Sequence, residues 1–367
     1  MVKIWAKIDK TFLILVGVLV LFGFVAFSSA SLGMLPRESV SVPRLFATQL
    51  GLGLVLGTLA LIATSLIPYK LYKQAALPFY IFALVLTALV FIPGLGIEAN
   101  GATRWIDAGP ISFQPAEILK IAVVLYLATY LAKTKQKVKT FRHGIIPFSA
   151  ILGFPVLLLL LQPDTGTALV IIATSISMYF AAGAPWRDIG ILALMGLLGF
   201  AGLAATRPYV LERLLTFIRP DSDPLGASYQ IQQSLIAIGS GELFGRGIGQ
   251  SVQKFSYLPE PVGDSIFAVI AEEVGFVGSI IFLFLLVAIF ARGMNIASRA
   301  PDHFSALIIL GIIATVTFQS ILNIGAMLGV LPLTGLPLMF VSHGGTALLV
   351  ALASIGIILH ISAFAKK

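Results

Sequence analysis

Four clusters of polar residues stand among long apolar runs in this chain, and no cysteine accompanies any of them. Asp264 sits where a polar, glycine-rich stretch meets the apolar run 265–270, with Glu272 and Glu273 close behind. A carboxylate at such a boundary has two readings. It caps a helix, since Asp is a preferred N-cap, or it is partly desolvated, its pKa is raised, and it serves as a general base. One of Glu272 and Glu273 must also face protein or a wet cavity. A second cluster comprises Gly101, Arg104, Trp105, Asp107 and Gly109, and leads through Gln114 and Pro115 to Glu117 and Lys120. Pro115 suits a first helical turn. Glu117 and Lys120 are three apart and share a face just inside an apolar run, either as a structural ion pair or as part of a site. In the third cluster, Gln162 to Thr167, Asp164 again either caps a helix or contributes to a site. The fourth, residues 331–346, carries Ser342, His343, Gly344 and Gly345, small residues that permit close helix packing.

Several familiar chemistries are excluded. Gly245, Gly247 and Gly249 do not follow a strand in a βαβ unit, so they form no nucleotide loop. Ser251 and Lys254 have serine-lysine spacing but no other nucleophilic-enzyme context. His343 has no partner at zinc-ligand spacing, and the lack of cysteine removes thiolate chemistry.

The elements that must hold these clusters are membrane helices. Hydrophobic residues make up 58% of the 367 and charged residues 11%, with a mean hydropathy of +1.01, where a soluble domain carries about 25% charged residues. A water-soluble surface cannot be built from that ratio. Each crossing needs roughly 20 apolar residues. Apolar runs lie at 12–32, 45–67, 77–92, 113–132, 144–161, 167–183, 189–206, 265–291, 304–330 and 338–364. The expected fold is therefore all-α, a single polytopic integral membrane domain over residues 1–367 with about ten transmembrane helices. The fifth and sixth are the least regular, because Pro147 and Pro155 interrupt a short run. The first run is too long for a signal-peptide core.

Charge placement orients the bundle. The net charge of +8 lies mostly in short segments between apolar runs, a topology signal that excludes a nucleic-acid surface. Lys133, Lys135, Lys137, Lys139 and Arg142 stand together without a carboxylate, which places their segment in the cytoplasm. Counting alternately, Lys3, Lys7, Lys10, Lys70, Lys73, Arg187, Arg292, Arg299, Lys366 and Lys367 fall on the same side. Both termini are then cytoplasmic. A large extracytoplasmic loop, about 207–264, precedes helix 8 and shares the outer face with 93–112, 162–166 and 331–337, so nearly every polar cluster gathers there.

Four motifs in order, GATRWIDAGPISFQPAEILK, QPDTGTALV, GSGELFGRGIGQSVQKFSYLPEPVGDSIFAVIAEEVGFVG and LPLTGLPLMFVSHGG, resemble the shape, elongation, division and sporulation family, that of FtsW and RodA, over nearly the whole chain. The resemblance implies a peptidoglycan glycosyltransferase of the bacterial cytoplasmic membrane that polymerises lipid II, the undecaprenyl-pyrophosphate-linked disaccharide-pentapeptide, on the outer face. The family's essential aspartate falls on Asp264, which would act as base on the acceptor's 4-hydroxyl in an inverting transfer. The departing diphosphate needs cations or a divalent ion such as Mg2+ or Mn2+. Arg104, Lys120, Arg213, Arg246 and Lys254 are the available cations, with Arg104 and Lys120 preferred because they lie in family motifs. The motifs also assign Trp105, Gln114, Glu117, Asp164, Ser342, Gly344 and Gly345 to the substrate cavity. A class B penicillin-binding transpeptidase and other divisome membrane proteins are the implied partners.

Residues 253–258, 319–326 and 356–362 resemble the division branch more than a RodA-like elongation polymerase. The chain departs from the family pattern at His343, usually Tyr, at Met339, often Pro, and at Val262 and Gly263, usually His-Thr. Two rival functions are a lipid II flippase and a non-catalytic scaffold for division proteins. A transporter should line a path through the midplane, whereas these clusters crowd one face.

Overall fold

The computed structural model of the protein describes residues 5–35, 41–99, 102–107, 109, 112–219 and 228–366. Lys3, Gly101 and Lys367 lie outside them. The apolar runs become helices because lipid offers no hydrogen bonds, and only intrahelical pairing satisfies a spanning backbone. Among the described residues eight helices are long and apolar enough to cross a membrane, and two shorter apolar helices pack with them. In chain order they are α1 Lys10–Leu32, α2 Val42–Leu66, α3 Tyr69–Phe91, α4 Pro115–Thr134, α5 Ile145–Leu161, α6 Thr165–Ala181 and α7 Trp186–Thr206. After two shorter helices, α8 Pro208–Ile218 and α9 Tyr229–Ser240, come α10 Ile266–Ser298, α11 His303–Met327 and α12 Gly345–Ser362.

Asp9 fixes one end of the bundle. Its carboxylate caps α1 by accepting from Phe12 N (2.8 Å) and pairs with Arg292 of α10 (2.7 Å), while its own N–H donates to Ser362 Oγ at the end of α12 (3.0 Å). The two ends of the chain therefore meet on the same side. Burial separates the layers. About seven-tenths of the apolar stretch is buried in α4, α11 and α12 (72%, 67% and 72%), but only 6% in α7. The first three form the centre, and α7 faces lipid. Exposed side chains such as Leu197 and Phe284 would drive association in water, whereas in a bilayer they meet their solvent. Lipid removes the hydrophobic drive between helices, so close packing and polar pairs hold them together.

Three segments differ from the sequence expectation. Where a loop was expected over 93–112, the described residues include an antiparallel sheet, β1 Gly96–Ala99, β2 Ala102–Asp107 and β3 Ser112–Phe113, with Ile97 opposite Trp105 and Ile106 opposite Phe113. The β-branched and aromatic residues of β2 favour that pleated, half-buried surface. The run beginning at 338 does not start a helix there. α12 opens only at Gly345, and residues 331–344 pass through the bundle as extended chain and turns. Phe340 O occupies the place of a Cβ on Gly23, so α1 can approach this segment only through a glycine.

The third is α10, which breaks at Gly275 (φ 69°, ψ −169°). The stretch after α9 fills the break like an added strand. Arg246 N and Gly247 N donate to Glu272 O and Glu273 O (both 3.0 Å), while Phe276 N and Val277 N donate to Glu242 O and Leu243 O (2.9 and 3.0 Å). Irregular backbone at membrane depth is tolerated only when protein satisfies it in this way. A Cβ on Gly275 would land on Gly245 N, and its left-handed φ also disfavours any side chain. Gly275→Ala is expected to cost about 2–4 kcal/mol, read as a lowered melting temperature in detergent; an unchanged melt would contradict the packing described.

Candidate active site

The site is built where the ends of several elements converge on one side of the bundle. α8 supplies one wall. Tyr209, Glu212, Arg213 and Thr216 fall on one face by their spacing of three and four residues, and all four line a cavity of about 450 Å³. Arg104 of β2, Pro163, Gln230 of α9, Asp264 at the foot of α10, and Leu333 and Gly335 of the re-entrant segment complete the lining. The volume suits a ligand-sized group.

Asp264 is half-buried and held at two points. Gln230 Nε2 donates to its Oδ1 (3.1 Å), and Asn323 Nδ2 of α11 donates to its main-chain oxygen (2.7 Å). Burial raises the carboxyl from 3.8 to about 6, the Gln230 bond offsets part of that rise, and nearby Glu260 adds to it. The result is a base that is ionised at neutral pH yet less solvated than a surface carboxylate.

Two guanidinium groups share the cavity. Arg104 donates from Nε to Gln162 O (3.4 Å) and from Nη2 to Pro163 O, and Arg213 donates from Nη1 to Thr334 O (3.4 Å). Burial, and then the Arg104 charge, pushes the Arg213 guanidinium below its ordinary value. Their described partners are neutral carbonyls, and each guanidinium has five donors. Such a pair of cations is best satisfied by an anion.

A family profile described as cell cycle protein, for FtsW, RodA and SpoVE, matches residues 9–367. The chain belongs to the FtsW/RodA/SpoVE family of cell cycle proteins. Stage V sporulation protein E of Bacillus subtilis is 39% identical over 311 residues, 85% of each chain. The probable peptidoglycan glycosyltransferase FtsW of Trichlorobacter lovleyi is 37% identical over 98% of this chain and 94% of its own. Among solved structures, a chain of a peptidoglycan synthase complex that coordinates polymerization and crosslinking superposes with a TM-score of 0.80 at 32% identity, covering 99% of this chain and all of that one. The rod shape determining protein RodA of Thermus thermophilus superposes at 0.71 with 31% identity over 99% of each. This family member is a multi-pass bacterial membrane protein.

The structure sorts its candidate residues into different places. Arg104 and Asp264 share the cavity, together with Arg213. Lys120 does not line it. Its ammonium is buried between Glu117 (3.0 Å) and Gln319 Oε1 (2.6 Å), and Gln319 in turn donates to Pro337 O (2.8 Å). Glu117 and Lys120 thus support the re-entrant segment from α4. Lys254 and Arg246 do not line the cavity either. Lys254 is fully buried against Glu273 (2.7 Å), Ser29 (3.0 Å) and Gly249 O (2.9 Å), and Arg246 lies beside Glu272 (3.6 Å), so both neutralise the carboxylates of broken α10. Asp164 caps α6 through Thr167 N (3.2 Å) while accepting from Gln114 (3.2 Å), and Trp105 pairs across the hairpin.

Ser342, Gly344 and Gly345 hold the segment beside Asp264 rather than lining the cavity. Ser342 Oγ donates to Gly263 O (2.6 Å), Gly344 N donates to Gln49 Oε1 (3.0 Å), and Gly345 lies against Thr48 O. His343, in place of the family's usual Tyr, donates its N–H to Val262 O (2.7 Å), stacks on Phe27 and meets Thr48 Oγ1 at 3.0 Å. Tyr209, Glu212, Gln230 and Asn323 were not assigned from sequence. The polar face of residues 209–216 was the available signal for the first two, whereas Gln230 stood in the polar stretch after 229 and Asn323 in the motif 319–326 without a role being assigned to either.

Breaking a buried ion pair costs about 3–5 kcal/mol, but replacing both partners by packed apolar groups is often near neutral. Lys120→Met should therefore lower the melting temperature more than the double change Lys120→Met, Glu117→Leu. Equal losses in the two would show that Glu117 does not depend on Lys120.

Proposed function

We propose that this chain polymerises lipid II into glycan strands at the outer face of the cytoplasmic membrane, with both termini in the cytoplasm, and that it serves the division branch of its family. The observation that carries the reading is a half-buried carboxylate, Asp264, in the same cavity as Arg104 and Arg213, whose described partners are main-chain carbonyls. The reaction class comes from the relatives. They are named for peptidoglycan glycosyl transfer, and the likeness spans the whole chain, so this protein is a peptidoglycan glycosyltransferase. Residues 319–326 favour division over elongation, in keeping with relatives named FtsW and SpoVE.

The acceptor's 4-hydroxyl oxygen attacks the donor's anomeric carbon as its proton passes to Asp264. The bond from that carbon to the diphosphate oxygen breaks, and its electron pair leaves with the undecaprenyl diphosphate. Attack opposite the leaving group inverts the anomeric carbon. Arg104 and Arg213 meet the charge that develops on the diphosphate, in a site where fixed cations need no reorganisation. Among the described residues no three metal-ligating side chains converge, so the cavity offers no protein cage for a resident ion. A Mg2+ or Mn2+ ion arriving with a diphosphate needs only one or two carboxylates. Glu212 is the cavity carboxylate besides Asp264 and would hold it, adding neutralising charge. Beneath the cavity the central helices are packed with buried side chains such as Val124, Ile312 and Leu352, which favours chemistry at one face over transport. A class B penicillin-binding transpeptidase is the proposed partner, by analogy with the peptidoglycan synthase complex, and other divisome membrane proteins assemble around the pair.

With the cognate transpeptidase in detergent, the protein should convert lipid II to polymer, Asp264→Asn should abolish conversion, and Arg104→Ala or Arg213→Ala should slow it about 100-fold. Translocation without polymer would establish the flippase instead, and full activity of Asp264→Asn would remove the base.

The pH dependence has a definite sign. Protonation removes the base, so the rate falls as pH drops through about 6. Stability runs the other way. The carboxyl titrates at about 6 folded against 3.8 in its ordinary state, so the stability gained by protonation is fully present below the ordinary value and is lost as pH rises through about 6. Ionised Asp264 is therefore a cost at neutral pH, and Asp264→Asn should melt at or above the wild-type temperature at pH 7.

A further inference from the structure

Among the described residues, Gln230 is the one side chain that hydrogen-bonds the carboxylate of Asp264. Its Nε2 donates to Asp264 Oδ1 (3.1 Å) and to Ser265 Oγ (3.0 Å), so both amide hydrogens have acceptors. Asp264 Oδ2 has no hydrogen-bond partner among the described residues, and the residue lines the cavity. Asn323 Nδ2 meanwhile bridges Asp264 O and Leu336 O (both 2.7 Å), which fixes the main chain beneath the carboxylate. With the backbone pinned, only the side-chain torsions are free, and the Gln230 bond stops them.

We propose that Gln230 is a positioning residue for glycosyl transfer: it anchors one carboxylate oxygen of Asp264 so that the other is presented to the incoming hydroxyl. A donor to the charged form also favours ionisation. Gln230 thus works against the desolvation that the cavity imposes and keeps the base ionised at neutral pH. Among the described residues, the other charged or titratable groups around Asp264 are Glu260 on its own loop, Arg213, Glu212 and Tyr209 on α8, and Arg104 on β2. None of them is hydrogen-bonded to the carboxylate among the described residues. The proposal rests on Asp264 being the base.

The test is the rate of lipid II polymerisation by the full-length protein with its transpeptidase partner from pH 5 to 9, for wild type, Asp264→Asn, Gln230→Met and Gln230→Glu. Methionine keeps the length and removes the donor, and glutamate keeps the shape but sets a like charge beside Asp264. In Gln230→Met the acid limb should move up by about one pH unit, with the plateau kcat several-fold lower and KM nearly unchanged. Gln230→Glu should move the limb further in the same direction. A limb at the wild-type position in either folded variant overturns the proposal, as does a loss confined to KM. A merely structural role would lower the melting temperature without moving the limb. The failure of the underlying reading is separate. Polymer from Asp264→Asn removes the base whatever Gln230 does, whereas an inactive Asp264→Asn with an unmoved limb in Gln230→Met removes only the role of Gln230. If Gln230→Met does not fold, Gln230→Glu decides. As a second readout, the melting-temperature difference between wild type and Asp264→Asn, followed against pH, reports the Asp264 titration without any turnover.

Discussion

Non-helical backbone inside an apolar bundle must find every hydrogen-bond partner within the protein, and the half of this molecule that carries the cavity is organised by that demand. Each unpaired group in hydrocarbon costs several kcal/mol. Two segments face the problem, the stretch 241–247 and the stretch 331–344. The first solves it with its own main chain, zipped against the break in α10. The second relies on side-chain amides, Gln49 from α2, Gln319 and Asn323 from α11, which bond to Ser342 O, Pro337 O and Leu336 O (3.3, 2.8 and 2.7 Å). Chain that would be mobile on a soluble surface becomes a fixed floor. Because Asn323 bonds Asp264 O as well, the same pairing that makes the irregular segment tolerable also sets the position of the carboxylate.

Partner type divides the buried cations into two classes. Lys120 and Lys254 each hold a carboxylate at 3.0 Å or less, so their charge is already matched, and their work is to join helices. Arg104 and Arg213 hold carbonyl dipoles. The two like charges repel each other, and Asp264 in the same cavity offsets part of that cost. Asp264 bears a comparable cost, since its desolvation is a penalty to the fold and an asset to a base. Such stability lost at a site is the usual mark of function, carried by the packed helices elsewhere. The π-helical stretch of α2, Thr48–Leu56, belongs to the same pattern, because π-bulges recur at functional sites and this one brings Thr48 and Gln49 to His343 and Gly344.

Helix positions were legible because the environment leaves a spanning segment little choice of backbone, so hydropathy alone marks where α1 to α7 and α10 to α12 lie. Legibility failed where hydropathy and helix part company. Residues 338–341 open an apolar run, yet tertiary contacts of the segment 338–344 with Gly23, Val262 and Gln49 hold it in turns. The hairpin at 96–113 was missed because its strands are short and their pairing is a contact between segments. Motif membership likewise ranked Lys120 and Lys254 with Arg104, but motif position does not reveal which cation already has a partner.

Sequence by itself determined the solvent and the number and order of apolar runs, since these follow from residue type and spacing along the chain, whereas Asp264 stood out through the family motif it falls in. Only the tertiary structure decided that Arg213 rather than Lys120 shares the cavity with Arg104, that Gln230 holds the carboxylate of Asp264 while Asn323 holds its main-chain oxygen, and that Glu272 and Glu273 are neutralised away from it. Desolvation and hydrogen bonding depend on which atoms from distant segments come within about 3 Å, and for Asp264 and Asn323, 59 positions apart, no local pattern carries that information.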